Sequence, residues 1–349
     1  MRHYTAKLFI SVTVAVGLFA GCGGGLSGST PDERAISAAE LGENRANGNI
    51  PVLVEAVRTE PQMVQLQALD SLGKIGTPEA VEALAQFKDH EARIIRSGVV
   101  QALREVLPES YPQSAKVLEE IGRASLPKEN GEDPNREIRK AVVTALAVVK
   151  QPSSLDFLLD RLRYDTTEGI RNAAVQTVGD LADERAVDVL VDVYRTDNQK
   201  NGAWAIESLG NIGSEAAVPV VEEALADFDP ITRGKAAWAL MEIQGKEALP
   251  TLEQALAEES DDMPAVVMAH ALVLLGNEEA IPFLEDRLLH ARSPLARAEA
   301  ARVLGEVGRP ESLEALDKAF REDRDGLVKR EAGKSARALL QRYPQDEQS

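Results

Sequence analysis

The apolar positions of the segment 170–181 fall at Ile170, Ala174, Val178 and Leu181, steps of three and four residues that line one face of an α-helix. Ala236, Ala237, Leu240 and Ile243 repeat the pattern further on. A second amphipathic pattern follows after a short gap. In it Val218, Val221, Ala224 and Leu225 take one side, and Glu222, Glu223 and Asp227 the other. The gap carries turn chemistry: Gly76 and Gly213 stand where a helix cap turns left-handed. Thr77-Pro78-Glu79 and Ser214-Glu215 then supply a start for the next helix. A connection this short predicts two antiparallel helices.

This helix-turn unit recurs. It ends in Leu-Gly or Val-Gly at Leu72-Gly73, Val178-Gly179, Leu209-Gly210 and Leu304-Gly305, and weaker copies fill the gaps. The anchors are Gly42, Gly73, Arg104, Ala147, Gly179, Gly210, Met241, Val273, Gly305 and Leu340, spaced by 31, 31, 43, 32, 31, 31, 32, 32 and 35 residues. Pro51, Pro219, Pro250 and Pro282 each lie nine residues after an anchor, a place only the first turn of a helix tolerates. Such a period excludes most single-core enzyme folds. It predicts an all-α chain, an α-solenoid of about nine and a half antiparallel helix pairs over residues 32–343, with a disordered tail at 344–349. The 43-residue step holds a longer second helix, Ser114–Arg123, and an inserted loop at about 124–137. With 44% apolar but only 4% aromatic residues, the core is built mainly from Ala, Leu and Val.

The first residues are different. Arg2 and Lys7 precede an apolar stretch of 13 residues, Leu8–Ala20, which is shorter than the roughly 20 residues a spanning helix needs. A basic start, a short apolar run and small residues have the layout of a secretory signal at 1–21. Leu18-Phe19-Ala20-Gly21-Cys22 resembles the lipobox of bacterial lipoproteins, with Phe19 where that family most often has Leu. The resemblance implies acylation of Cys22, the only cysteine, and an exported protein held on a membrane facing the periplasm or cell exterior. Residues 22–31, rich in Gly and Ser, are expected to form a flexible tether.

Asp229-Pro230-Ile231 with Arg233, then Ala236-Ala237-Trp238-Ala239-Leu240 and Ala248-Leu249-Pro250, resembles the HEAT-like repeat of phycobilisome lyases, an armadillo-type fold. It covers about Arg34 to Tyr343. Eight residues before the anchors stand Arg34, Arg96, Arg139, Arg171, Arg233 and Arg297. In repeats of this family such a column resembles a structural ladder rather than a phosphate site. Asp133, Asp165 and Asp227, six residues before their arginines, are its expected partners.

Chemistry is sparse. The histidines are His3, His90, His270 and His290, and no nucleophile-base pair, phosphate loop, zinc spacing or calcium loop can be assembled, so catalytic, metal and cofactor sites are all expected to be absent. Deoxyhypusine hydroxylase, which shares the repeat, carries several His-Glu pairs as di-iron ligands; here there is only His90-Glu91. Phycobilin lyases of this class act in the cytoplasm, the wrong compartment for an exported chain.

With Arg2 and Lys7 set aside, 37 basic residues face 57 acidic ones, which argues against nucleic acid and leaves lipid as the membrane contact. Asp160, Asp192, Glu222, Glu223, Glu253, Glu285, Asp286 and Asp317, twelve or thirteen residues after their anchors, form an acidic row on the second helices. If second helices line the concave side, the row is a groove for a protein with a basic or extended segment; otherwise it is a solvated face. Trp204 and Trp238 are candidate contact residues, with burial in the core an equal alternative. The reading is a non-enzymatic protein-binding scaffold or adaptor in the cell envelope. A spacer or assembly factor is the alternative, and a repeat-family enzyme of lyase or hydroxylase type a remote one.

Overall fold

The computed structural model describes residues 25–127, 133–197 and 201–343. The signal, Cys22, the tail and loop residues 128–132, with Asn130 and Glu132, lie outside them. Among the described residues there is no strand. The helices in chain order are α1 (Pro31–Glu43), α2 (Ile50–Thr59), α3 (Gln62–Ile75), α4 (Pro78–Ala85), α5 (Arg93–Leu103), α6 (Tyr111–Ala124), α7 (Arg136–Val149), α8 (Leu155–Tyr164), α9 (Glu168–Leu181) and α10 (Val187–Thr196). They continue as α11 (Ala203–Ile212), α12 (Val218–Ala224), α13 (Pro230–Gln244), α14 (Leu249–Glu258), α15 (Asp262–Leu274), α16 (Ala280–His290), α17 (Pro294–Val307), α18 (Ser312–Glu322) and α19 (Gly326–Arg342). Odd-numbered helices are the first helices of the repeat and even-numbered ones the second. Over the described residues the result is an α-solenoid of nine and a half pairs, the number the period counts.

In most units the pairing is offset by one helix from the sequence unit. A second helix packs more closely on the first helix that follows it than on the one before, as α8 does on α9 and α18 on α19. The turn where the arginine column lies therefore closes the packed pair. The short Gly-containing connection links one pair to the next, capped by left-handed Gly76 (φ 68°) and Gly213 (φ 73°).

Each odd helix also lies directly against the next odd helix, whereas successive even helices approach less closely. The anchor glycines make this possible. A methyl group on Gly210 would lie 2.7 Å from the Cα of Ala239, and one on Gly179 would lie 2.5 Å from Ser208 Oγ. Where the anchor is Arg104 or Val273, the following layer is more open. A close-spaced odd row beside a wide-spaced even row bends the stack with the odd helices on the inside. The expectation that second helices line the concave side is corrected: the second helices form the outer row, because their side chains, not glycine, separate the layers.

The core follows the helical pattern. Ile170, Ala174 and Val178 are fully buried, as are Val221 and Ala224. Asp227, expected on the solvent side of its helix, is buried and accepts a hydrogen bond from the Tyr194 hydroxyl at 2.9 Å. The tether is also shorter than expected. Leu26 packs on the core, the Ser27 amide donates to Ser37 Oγ at 3.1 Å, and Thr30 and Glu33 cap α1 reciprocally. Residues 25–30 thus belong to the folded body.

Candidate interaction surfaces

The arginine column is built into the turns. In five of the six, Nη1 donates to a backbone carbonyl five or six residues upstream: Arg34 to Ser29 (3.2 Å), Arg96 to His90 (2.6 Å), Arg171 to Asp165 (2.9 Å), Arg233 to Asp227 (2.9 Å) and Arg297 to Ala291 (2.9 Å). The carboxylate comes from the next turn, 26 residues downstream: Glu60 for Arg34, Asp165 for Arg139, Asp197 for Arg171, Glu259 for Arg233 and Asp323 for Arg297. The expected partner six residues upstream is therefore corrected for Arg171 and Arg233, where that residue offers its carbonyl and not its carboxylate. Only Arg139, fully buried, takes both, with Asp133 at 2.6 Å and Asp165 at 2.8 Å. The insertion breaks the spacing after Arg96, which reaches Asn135 Oδ1 instead at 3.0 Å.

The acidic row stands on the outer helices. Asp192, Glu222, Glu223, Glu253 and Asp317 are exposed, while Asp160, Glu285 and Asp286 are partly buried. Much of it is already engaged: Glu223 with Arg195 at 3.4 Å, Glu253 with Asn277 at 2.7 Å, Glu285 with Ser312 at 2.6 Å, Asp286 with Arg287 and His290, and Asp317 with Arg321 at 2.8 Å. Glu222 and Glu258 line a cleft of about 560 Å³ between α12 and α14.

The inner row carries a feature absent from the sequence reading. Among described residues, the large apolar side chains exposed on helices are Ile36, Met63, Ile94, Val148, Ile231, Trp238, Met263, Leu274, Leu295 and Leu340 on odd helices, against only Tyr164 and Phe320 on even ones. Met63, Ile94, Ile231, Met263 and Leu295 all lie ten residues before an anchor, in the first turn of their helices. Ile94, Ile231 and Leu295 stand two residues before Arg96, Arg233 and Arg297, a spacing legible in the sequence but adjoining the buried face of the helical wheel.

Around α13 this row forms a pocket of about 370 Å³ lined by α11, α13 and α15. Ile231, Met263 and Val267 supply apolar lining, and Trp238, Lys235, Glu207 and Glu242 line it as well. Trp238 is 36% exposed and its ring lies tilted 5.2 Å from that of His270, whose burial pushes the imidazole pKa down. Trp204, partly buried, carries the Lys235 ammonium 4.4 Å from its ring centre, and Glu207 binds the same ammonium at 2.6 Å.

Among the described residues no three His, Cys, Asp or Glu side chains gather as metal ligands, and no helix is long and apolar enough to cross a membrane. His90 sits in a turn, its Nδ1 accepting from the Ala92 amide at 3.1 Å, and Asp133 is held by Arg139.

Solved structures share this architecture. Yeast importin-beta, Kap95p, superposes with a TM-score of 0.57 at 14% identity over 90% of this chain, which spans half of that one. The complex of CpcE and CpcF of phycocyanin lyase from Nostoc matches at 20% identity over 75% of this chain and 100% of that chain, with a TM-score of 0.35. Human deoxyhypusine hydroxylase matches at 18% identity over 86% of this chain and 99% of that chain, with a TM-score of 0.33. The first likeness shows the fold. No curated protein matches the chain. The family model for HEAT repeats matches residues 25–104, 129–201, 196–267 and 264–337, nearly the whole stack of packed pairs described above, and the chain belongs to the HEAT repeat proteins.

Proposed function

We propose that this chain is a non-enzymatic scaffold, exported and anchored through an acylated Cys22, that binds another protein along its inner, odd-helix row. The observation that carries the reading is the gathering of exposed apolar side chains on that row. Contiguous apolar surface marks contact sites, whereas a solvated acidic face serves solubility. The lipobox at Leu18–Cys22 and the basic and apolar residues before it support export and anchoring. Only Gly23 and Gly24 separate Cys22 from the folded body, a reach of about 10 Å, so the first helices would sit close to the bilayer.

Crosslinking in the native cell tests the reading with three variants: Ile94→Asp, Leu295→Asp, and the outer-row charge reversal of Asp192, Glu223, Glu253 and Asp286 to Lys. The expected outcome is capture of an envelope protein by the wild type and the outer-row variant, with capture reduced in the two inner-row variants. Loss confined to the outer-row variant would move the contact to the acidic face. No captured protein at all would favour a spacer, whose function depends on length.

A further inference from the structure

The two ends of the stack carry opposite charge on faces of matching register. Inside the chain, an anchor glycine meets, on the next odd helix, the residue two places before that helix's own anchor: Gly42 meets Ser71, Gly179 meets Ser208 and Gly210 meets Ala239. The residue three before the anchor also points forward, as Glu207 shows by binding Lys235 of α13. So does the one seven before, since Gly234 faces Val267 of α15. On α19, Ser335 meets Gly305, so Arg337, rather than Leu340, holds the anchor place there. Arg330, Lys334 and Arg337 therefore face the place of a further layer, and all are exposed. Glu331, 3.4 Å from Arg330 and 3.9 Å from Lys334, offsets part of their charge and leaves the face positive. At the other end, Glu40 stands two before Gly42 with no earlier odd helix to meet, and Asp32 and Ile36 lie on the same face at steps of four. These too are exposed, Ile36 by 61%. Helix-end electrostatics do not account for the signs: Glu40 stands in the last turn of α1 and Arg330 near the start of α19, each the charge a helix dipole disfavours there.

We propose that a second copy of this chain continues the stack, its α1 seated on α19 so that Glu40 meets Arg337, Asp32 meets Arg330, and Ile36 packs on the stem of Lys334. The join is odd helix on odd helix, the contact that runs through the whole solenoid. Being head-to-tail, it can repeat from copy to copy. It goes beyond the scaffold reading and does not depend on what the inner row binds. A polar end that only stopped further stacking would work with either sign. Here a chain with 57 acidic and 39 basic residues gathers bases on its last helix, where Lys329, Arg330, Lys334, Arg337 and Arg342 outnumber Glu331. The net charge of −18 opposes association at long range. Physiological salt screens that repulsion beyond about 8 Å, whereas the two end faces touch. Arginine at the anchor holds the helices further apart than glycine does, so the contact is made by exposed side chains and is weak.

Carbodiimide coupling of the purified full chain, mixed from isotopically light and heavy preparations at physiological salt, tests the join. Lys334 is expected to couple to Asp32, Glu33 or Glu40 of the other copy. One double variant, Asp32→Lys with Glu40→Lys, makes both ends basic; a second, Arg330→Glu with Arg337→Glu, makes both acidic. Each changes only exposed side chains, and each alone should lose about fivefold or more of the coupling, because like charges then face each other. Mixing the two variants opposes unlike charges again and should restore coupling between them, an outcome that misfolded variants could not give. Absence of coupling between light and heavy copies at these residues in the wild type would overturn the proposal. So would a mixture no more coupled than either variant alone. Equal coupling of Lys334 to added polyglutamate would make α19 a general anion surface and remove the second copy as its occupant.

Discussion

At the scale of single residues, the anchor glycine is where sequence and packing meet most directly. Its recurrence marks the period, but its purpose appears only when the next helix is in place: Gly210 has no room for a methyl group beside the Ala239 backbone. Gly210→Ala is therefore expected to destabilise the protein by about 1–3 kcal/mol, the usual cost of overpacking a filled core. Gly169 at the start of α9 has its nearest foreign atom, Lys140 Nζ, 4.0 Å from where the methyl would sit. Gly169→Ala should leave stability unchanged or raise it by up to about 1 kcal/mol. Urea unfolding of both variants checks the contrast, and equal effects would show that close approach is not what selects glycine at the anchor. Trp204 and Trp238 were visible as candidates in the sequence. Their different roles were not, because the partners Lys235 and His270 come from other helices.

Among elements, the arginine column joins the turn before one odd helix to the turn that follows it 26 residues later. Its six positions could be read from spacing alone. The identity of the acid could not, since a guanidinium projecting from the first turn reaches whichever carboxylate the next layer brings near. Burial sets the strength of each rung. Arg139 is completely buried between Asp133 and Asp165, so Arg139→Ala strips Asp133 of its cation, leaves Asp165 with only Arg161 at 3.4 Å, and should cost about 3–5 kcal/mol. Arg34 and Glu60 keep 22% exposure each at the end of the stack, and Arg34→Ala should cost about 1 kcal/mol or less. Unfolding in urea separates the two, and similar losses would show that burial does not grade the column.

Over the whole molecule, stability is a sum over layers, so groups far apart in the stack add their pH dependence. The Arg139 guanidinium holds Asp133 below the usual carboxylate range, and Arg297 does the same for Asp323. Their contribution is complete above the unfolded carboxylate pKa of about 4 and is lost as pH falls through the lower folded values. Burial also lowers the pKa of His270, so below about pH 6.5 the unfolded chain takes up a proton that the folded chain refuses. Thermal unfolding from pH 8 to 3 should show a first decline beginning near pH 6.5 and a steeper one below about pH 4. His270→Phe should remove the first and keep the second. A first decline unchanged in His270→Phe would assign it to another group.

What the sequence determined by itself is what depends on neighbours along the chain: helices from apolar spacing, turns from glycine, proline and cap residues, and the number of layers from the period. Tertiary structure decided the rest. It chose which helices pair, it placed the odd row inside because glycine lets those backbones approach, and it put the acidic row outside. It also brought Trp238, Glu242 and Val267 to one pocket. The reason is that curvature depends on distances between helices some 30 residues apart, which depend on how side chains from both interlock.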